Sequence, residues 1–269
     1  MDLERFFNLL EIEIRQNKKL SDYHRFTNDK KLYNFRKSYL VQRYSFMLNN
    51  INTNSSKILD VGCGYGTTAI LLTILGHKVK GITLEYYFDE IKQRINYWSQ
   101  YADLSNLEIE YADFFECNPE EEQYNHILAI DTLHHLEPFS KAAKQLYDLL
   151  ADNGSLIVCE ENGNNIIAQL KHIRERGFKR IDTYYDERLK KNITFGNENT
   201  RSLTSWINAF SSTKFKIDES SIEYIRFYMP RKHNKLDNKT LIDKENLIWR
   251  RNKLLKEYFF FGFNFVMRK

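Results

Sequence analysis

One stretch constrains this 269-residue chain more than any other: Ile58-Leu59-Asp60-Val61-Gly62-Cys63-Gly64-Tyr65-Gly66-Thr67-Thr68. A short apolar strand runs into three alternate glycines and then into a helix. Glycine accepts backbone conformations closed to other residues and lets a ligand approach with no Cβ in the way. A loop of this kind sits at the carboxyl edge of a parallel sheet, where ligands bind. The dinucleotide spacing GxGxxG needs glycine at position 67, which is Thr. A P-loop needs Gly-Lys-Ser/Thr, which is absent. The spacing is GxGxG, preceded by an acid, Asp60.

The pattern around the loop fixes the fold class. Strands are predicted at 57–61, 78–84, 107–111, 124–130 and 155–159, with helices over 67–75, 88–98 and 139–151 between them. Strict alternation of strand and helix predicts a doubly wound parallel α/β sheet. Before it, 3–15 and 31–49 read as helices. After it, 164–176, 201–211 and 243–256 read as helices and 215–227 as strand-like. The end alternates, with Phe259, Phe261, Phe263, Phe265 and Met267 on one face. Two late strands separated by a helical excursion predict an antiparallel hairpin closing the sheet. With 42% hydrophobic residues, 10 Gly and 3 Pro, the chain can bury a large core and has no linker-like segment. The apolar run Ala69-Ile70-Leu71-Leu72 falls far short of the roughly 20 residues of a membrane span. The N-terminus does not read as a signal peptide. Cys63, Cys117 and Cys159, odd in number and widely spaced, read as reduced thiols of a cytoplasmic protein, and no metal-ligand spacing is present.

The loop and the segments after it resemble the class I S-adenosylmethionine (SAM) dependent methyltransferases over roughly residues 45–165. The family's first motif, an acid two residues before GxGxG, is matched by Asp60, Gly62, Gly64 and Gly66. The resemblance implies a Rossmann-like seven-stranded sheet, SAM as cofactor and S-adenosylhomocysteine as product. It implies a domain over 51–269 with helical insertions around 164–211 and 229–257, covered by an N-terminal helical lid over 1–50. In the family an acid after the second strand binds the ribose. Here Thr83 stands at that position and Glu85 two residues later, so the expected pair is Glu85 on the ribose and Thr83 lining the pocket. After the third strand, Asp113 is expected on the adenine amine and Phe114 beside it. After the fourth, Asp131-Thr132-Leu133-His134-His135 is expected at the methyl end, with Asp131 on the cofactor and His134 or His135 as a base. Glu161 and Asn162, after the fifth strand, are expected near the acceptor.

The acceptor is not named by these motifs. The remaining regions are rich in aromatics: Tyr23, Phe26, Tyr33, Phe35, Tyr39 and Tyr44 early, then Tyr184, Tyr185, Trp206, Phe210, Tyr224, Phe227 and Tyr228. They are expected to cover the sheet edge over a small apolar or aromatic acceptor. Charge is segregated. Residues 1–57 carry 11 Lys/Arg against 6 Asp/Glu, a net of +5, and residues 220–269 carry 12 against 5, a net of +7. Such basic ends attract an acidic head group on the acceptor. Two other readings stay open: a methyltransferase of RNA or protein that uses the basic ends, and a non-catalytic SAM-binding partner subunit. No nucleobase-methylation signature Asn-Pro-Pro-Tyr is present.

Overall fold

Apolar runs unbroken by polar residues, such as Ile58-Leu59 and Ile127-Leu128-Ala129, mark strands covered on both faces. In the computed structural model, which describes residues 1–25, 32–51, 55–85 and 88–269, these runs form the centre of a seven-stranded sheet. Its strands are β1 (Lys57–Val61), β2 (Lys78–Thr83), β3 (Leu107–Tyr111), β4 (Tyr124–Ile130), β5 (Leu150–Glu161), β8 (Lys216–Ile225) and β9 (Gly262–Arg268). The spatial order is β3-β2-β1-β4-β5-β9-β8. β1 to β5 are mutually parallel, and β9 runs antiparallel between β5 and β8.

Strand periodicity assigns each side chain to one of two cores. Leu59, Val61, Leu156, Val158, Phe263, Phe265 and Met267 face one, with Trp206 and Phe210. Ile58, Ile157, Cys159 and Val266 face the other, with Phe6, Leu10, Ile14 and Trp98. The predicted C-terminal alternation holds from Phe263 onward. Phe259 and Phe261 precede the strand: Phe259 ends a helix and is exposed, and Phe261 is half-buried.

The helices are α1 (Leu3–Gln16), α2 (Lys18–His24), α3 (Tyr33–Asn50), α4 (Thr67–Ile74), α5 (Phe88–Trp98), α6 (Phe139–Leu149), α7 (Ile166–Arg176), α8 (Leu203–Ala209), α9 (Pro230–His233), α10 (Asn238–Arg251) and α11 (Lys253–Phe259). Helix α2 and the start of β5 at Leu150 go beyond the sequence reading. The larger difference lies in the insertion expected to be helical. Between α7 and α8 the chain forms a two-stranded antiparallel hairpin, β6 (Ile181–Asp186) and β7 (Lys191–Gly196). β-favouring residues, Thr183, Tyr184 and Tyr185 on one side and Ile193, Thr194 and Phe195 on the other, flank the turn Glu187-Arg188-Leu189-Lys190. None of the described helices is long and apolar enough to cross a membrane.

The N-terminal helices share the second core with the sheet. They are also tied to the glycine loop by a buried ion pair. Arg94 Nε and Nη2 donate to the two Glu13 oxygens at 2.8 and 2.7 Å, and Trp98 Nε1 donates to Glu13 at 2.9 Å. Arg94 Nη1 then donates to the Tyr65 carbonyl and the Thr67 hydroxyl, both at 2.7 Å.

Candidate functional site

A cavity of about 990 Å³ opens at the carboxyl edge of β1, β2, β3 and β4. Pockets enclosing one drug-sized ligand span roughly 300–1,000 Å³, so this one stands at the upper end of that range. Its floor is the β1–α4 loop. Gly62, Gly64 and Gly66 all have left-handed backbone, with φ of 70°, 55° and 73°. A Cβ on Gly62 would meet Thr132 Oγ1 at 2.5 Å. Gly62, Cys63 and Tyr65 line the cavity, while Gly64 and Gly66 shape the turn behind them.

Asp60, at the end of β1, also lines the cavity and is buried. Its Oδ2 has no hydrogen-bond partner. Burial pushes its pKa up to about 7. A buried carboxylate oxygen without a donor is costly, and a cationic or N–H-bearing ligand would supply what is missing.

The residues expected on the cofactor gather around this point. Thr83 is buried and lines the cavity, and its Oγ1 accepts from the Glu85 amide at 3.2 Å. Glu85 stands exposed at the rim. Asp113 and Phe114 line the far wall. Asp113 Oδ1 accepts from the Phe115 amide at 3.0 Å, and Oδ2 accepts from Lys191 at 2.7 Å. Each carboxylate oxygen has two lone pairs, so capacity for a ligand donor remains. Asp131, at φ 49°, lines the cavity with its carboxylate held by Arg43.

The two adjacent histidines part company. His134 is buried and absent from the cavity wall. Its Nδ1 meets Glu160 at 2.6 Å, while the other Glu160 oxygen accepts from the Thr132 and Leu133 amides at 2.9 and 2.6 Å. Burial opposes a charged ring, but the Glu160 carboxylate outweighs it and holds the pKa up at about 9. His134 therefore clamps the β4 edge. His135 lines the cavity. Its Nδ1 lies 2.8 Å from the Gly196 carbonyl, which can only accept, so Nδ1 carries the proton and Nε2 the lone pair. Burial and then the His134 charge push its pKa down, which keeps the ring neutral.

Asn162 is taken away from the cavity: its side chain ties Glu257 O, Phe260 O and the Asn164 amide together. Glu161 pairs with His172 at 3.1 Å, also outside the cavity wall. Among the described residues, two trios of metal-ligand type meet at Glu198, one with His134 and His135 and one with Glu161 and His172. In both, ring nitrogens face carboxylates, at 3.9 Å for His134 and 3.7 Å for His172.

The regions expected to cover the edge reach it only in part: Tyr33, Phe35, Trp206, Phe210, Tyr224, Phe227 and Tyr228 do not line the cavity, and Trp206, Phe210 and Tyr224 are buried in the first core. Helices α2 and α3 contribute Tyr23, His24, Tyr39 and Tyr44 to the cavity wall. Phe26 lies outside the described residues. Opposite them, the β6–β7 hairpin contributes Tyr184, Tyr185 and Phe195. It is buttoned to the sheet edge by Tyr111 to Asp186 at 2.6 Å, Lys191 to Asp113, and Arg188 to Asp89. The sequence reading named the two tyrosines but missed the element that carries them. The β-favouring residues on either side of the turn were the signal available.

Comparison with known proteins agrees with this geometry. Residues 33–217 match a family described as "Methyltransferase domain". A ubiquinone biosynthesis O-methyltransferase of Rickettsia bellii is 26% identical over 128 residues, 47% of this chain and 50% of that protein. The chain thus spans about half the length of the curated relatives it matches. Among solved structures, a SAM-dependent methyltransferase of Archaeoglobus fulgidus superposes with a TM-score of 0.56 at 12% identity, covering 94% of this chain and 100% of that one. Phosphoethanolamine N-methyltransferase 2 of Haemonchus contortus, solved with SAM, gives 0.55 at 14% identity, over 84% of this chain and 51% of that one. At these identities the superpositions show a shared fold.

Proposed function

This chain belongs to the methyltransferase-domain family, and from that premise we propose that it transfers a methyl group from SAM to a small organic acceptor inside the cavity. The observation that carries the reading is the buried, unpartnered Asp60 oxygen facing a cavity floored by left-handed glycines. Asp60, Gly62 and the loop backbone would hold the amino acid end of the cofactor, Glu85 the ribose, and Asp113 with Phe114 the adenine. Thr83 would line the ribose pocket and Asp131 the methyl end. The bound cofactor supplies an already activated methyl on a sulfonium. The chain's task is then to align the acceptor and exclude water. The aromatic walls of α3 and the hairpin suit an acceptor with an apolar or aromatic body.

For a hydroxyl acceptor, His135 would take the proton at Nε2 as the oxygen attacks. Its neutral ring and its Nδ1 bond to Gly196 O support that role. His134 acts as a positioning residue that fixes the loop through Glu160. His135→Gln is expected to lower kcat by roughly 10²–10⁴-fold with little change in cofactor affinity. An unchanged kcat and pH profile would remove the base.

Titration calorimetry tests the reading as a whole. SAM and S-adenosylhomocysteine are expected to bind and NAD is not. NAD binding without SAM binding would overturn it.

A further inference from the structure

The cofactor residues account for one end of the cavity. The opposite wall is a single face of α3, where Arg36, Tyr39, Leu40, Arg43 and Tyr44 recur at helical spacing and all line the cavity. Tyr44 marks the end near the glycine loop, through a hydrogen bond with Thr68. Arg36 lies eight residues earlier, about 12 Å along the helix axis. It therefore stands well away from the loop.

Around Tyr39 the charges are unbalanced. The Arg43 and Arg226 guanidinium carbons lie 4.0 and 3.9 Å from the centre of its ring, so the ring is sandwiched between two cations. Arg43 is matched by Asp131. Arg36 and Arg226 form no ion pair among the described residues. Glu161 and Glu245 act on Arg226 electrostatically, but one is bonded to His172 and the other to the Phe227 and Tyr228 amides. Nε of Arg36, Arg43 and Arg226 and the Tyr39 hydroxyl are all buried without a hydrogen-bond partner. Burial, then Arg226 and Arg25, push the Arg36 pKa down, with Tyr39 and Glu161 opposing them. An unmet buried donor is costly, and more so when it is charged. A fold that concentrates four of them beside a cavity has a place for an acceptor of hydrogen bonds that carries negative charge.

We propose that Arg36, Tyr39 and Arg43, backed by Arg226, form an oxyanion subsite, and that the methyl acceptor carries a carboxylate or phosphate seated there. The proposal rests on the methyltransferase reading for the word acceptor; the anion site itself rests on the arginine cluster. The anion is held at the α3 end, and the apolar body of the acceptor extends between α3 and the hairpin toward the β4 edge.

The test uses the full chain saturated with S-adenosylhomocysteine, titrated in a calorimeter at constant ionic strength with benzoate, phenyl phosphate and, as an uncharged control, benzamide. At least one anion is expected to bind and benzamide is not, and the tighter anion identifies the group. Arg36→Gln and Arg226→Gln are expected to weaken that anion tenfold or more, with S-adenosylhomocysteine affinity within twofold and native circular dichroism. The proposal is overturned if neither anion binds, or if benzamide binds as well as they do. It is equally overturned if the variants lose S-adenosylhomocysteine affinity instead, which would assign the arginines to the cofactor's own carboxylate. Should S-adenosylhomocysteine fail to bind the unaltered protein, the methyltransferase reading falls. The same titrations on the unliganded protein would then decide the anion site alone.

Discussion

Gly62→Ala separates two costs that the glycine loop is built to avoid. The backbone at 62 has φ of 70°, and left-handed backbone costs a residue with a Cβ roughly 1–2 kcal/mol. The added methyl would also lie 2.5 Å from Thr132 Oγ1 and 2.6 Å from its Cγ2. Thr132 has little freedom to retreat. It is buried, its hydroxyl donates to the Ile130 carbonyl at 3.0 Å, and its amide donates to Glu160 at 2.9 Å. Overpacking of this kind adds about 1–3 kcal/mol. The expected total is therefore about 2–5 kcal/mol. In a Thr132→Ala background the two close atoms are gone, and only a 3.2 Å approach to Cβ remains. Gly62→Ala should then cost little more than its backbone part, about 1–2 kcal/mol. Urea unfolding of the four proteins of this cycle, with a common m value, gives the coupling directly. Equal costs in both backgrounds would show that the loop relaxes away from Thr132, and would refute the argument that contact at this position fixes the loop.

Three further outcomes are expected. Glu13→Ala strands Arg94 in the core and should destabilise the fold by about 3–5 kcal/mol in chemical denaturation, whereas a loss under 1 kcal/mol would mean that water replaces the carboxylate. Asp113→Ala should weaken S-adenosylhomocysteine more than Thr83→Val does, because a carboxylate is the stronger acceptor and also releases Lys191; the reverse order in calorimetry would displace Asp113 from the adenine. For Asp60, the folded pKa of about 7 lies above that of the unfolded chain, near 3.8, so the folded state keeps a proton that the unfolded state has lost. Its contribution to stability is full below the lower value and fades as pH rises through about 7. Asp60→Asn should flatten the stability profile over that window, and a profile unchanged by the substitution would show that Asp60 does not titrate there.

The sheet was legible because its strands are continuous apolar runs, covered on both faces and separated by helices of ordinary length. The same physics hid the hairpin. β6 and β7 lie outside the main sheet, and Ile181, Tyr184 and Tyr185 are exposed, so no apolar run marks them. The cavity-lining positions Asp60, Gly62, Thr83, Glu85, Asp113, Phe114 and Asp131 followed from motif order along the chain, since each stands at the carboxyl end of a strand or just beyond it. Their partners did not. Lys191 reaches Asp113 and Arg43 reaches Asp131 across 78 and 88 residues, and nothing local announces either pairing. Which of His134 and His135 lines the cavity was likewise closed to the sequence, because Glu160 on the neighbouring strand holds His134. Asn162 looked like a site residue for its place after β5. Its amide was already committed to the carbonyls of Glu257 and Phe260.

Strand β9 sits inside the sheet, yet about 100 residues separate it from β5, its inner neighbour. At roughly 5–20 residues per second, a ribosome takes about 5–20 s to make that interval. Throughout it one edge of β5 is bare: Leu156, Ile157 and Val158 pair with β4 on one side and have no strand on the other, and neither core has its Phe263, Phe265 or Val266. An unpaired apolar edge is a template for association with other chains. The nascent protein therefore passes through a period in which its cofactor loop is complete in sequence while its sheet is open. Chaperone dependence and aggregation during synthesis should track the length of that wait, and slowing translation between residues 162 and 262 is expected to lower the soluble yield without altering a single contact of the finished molecule.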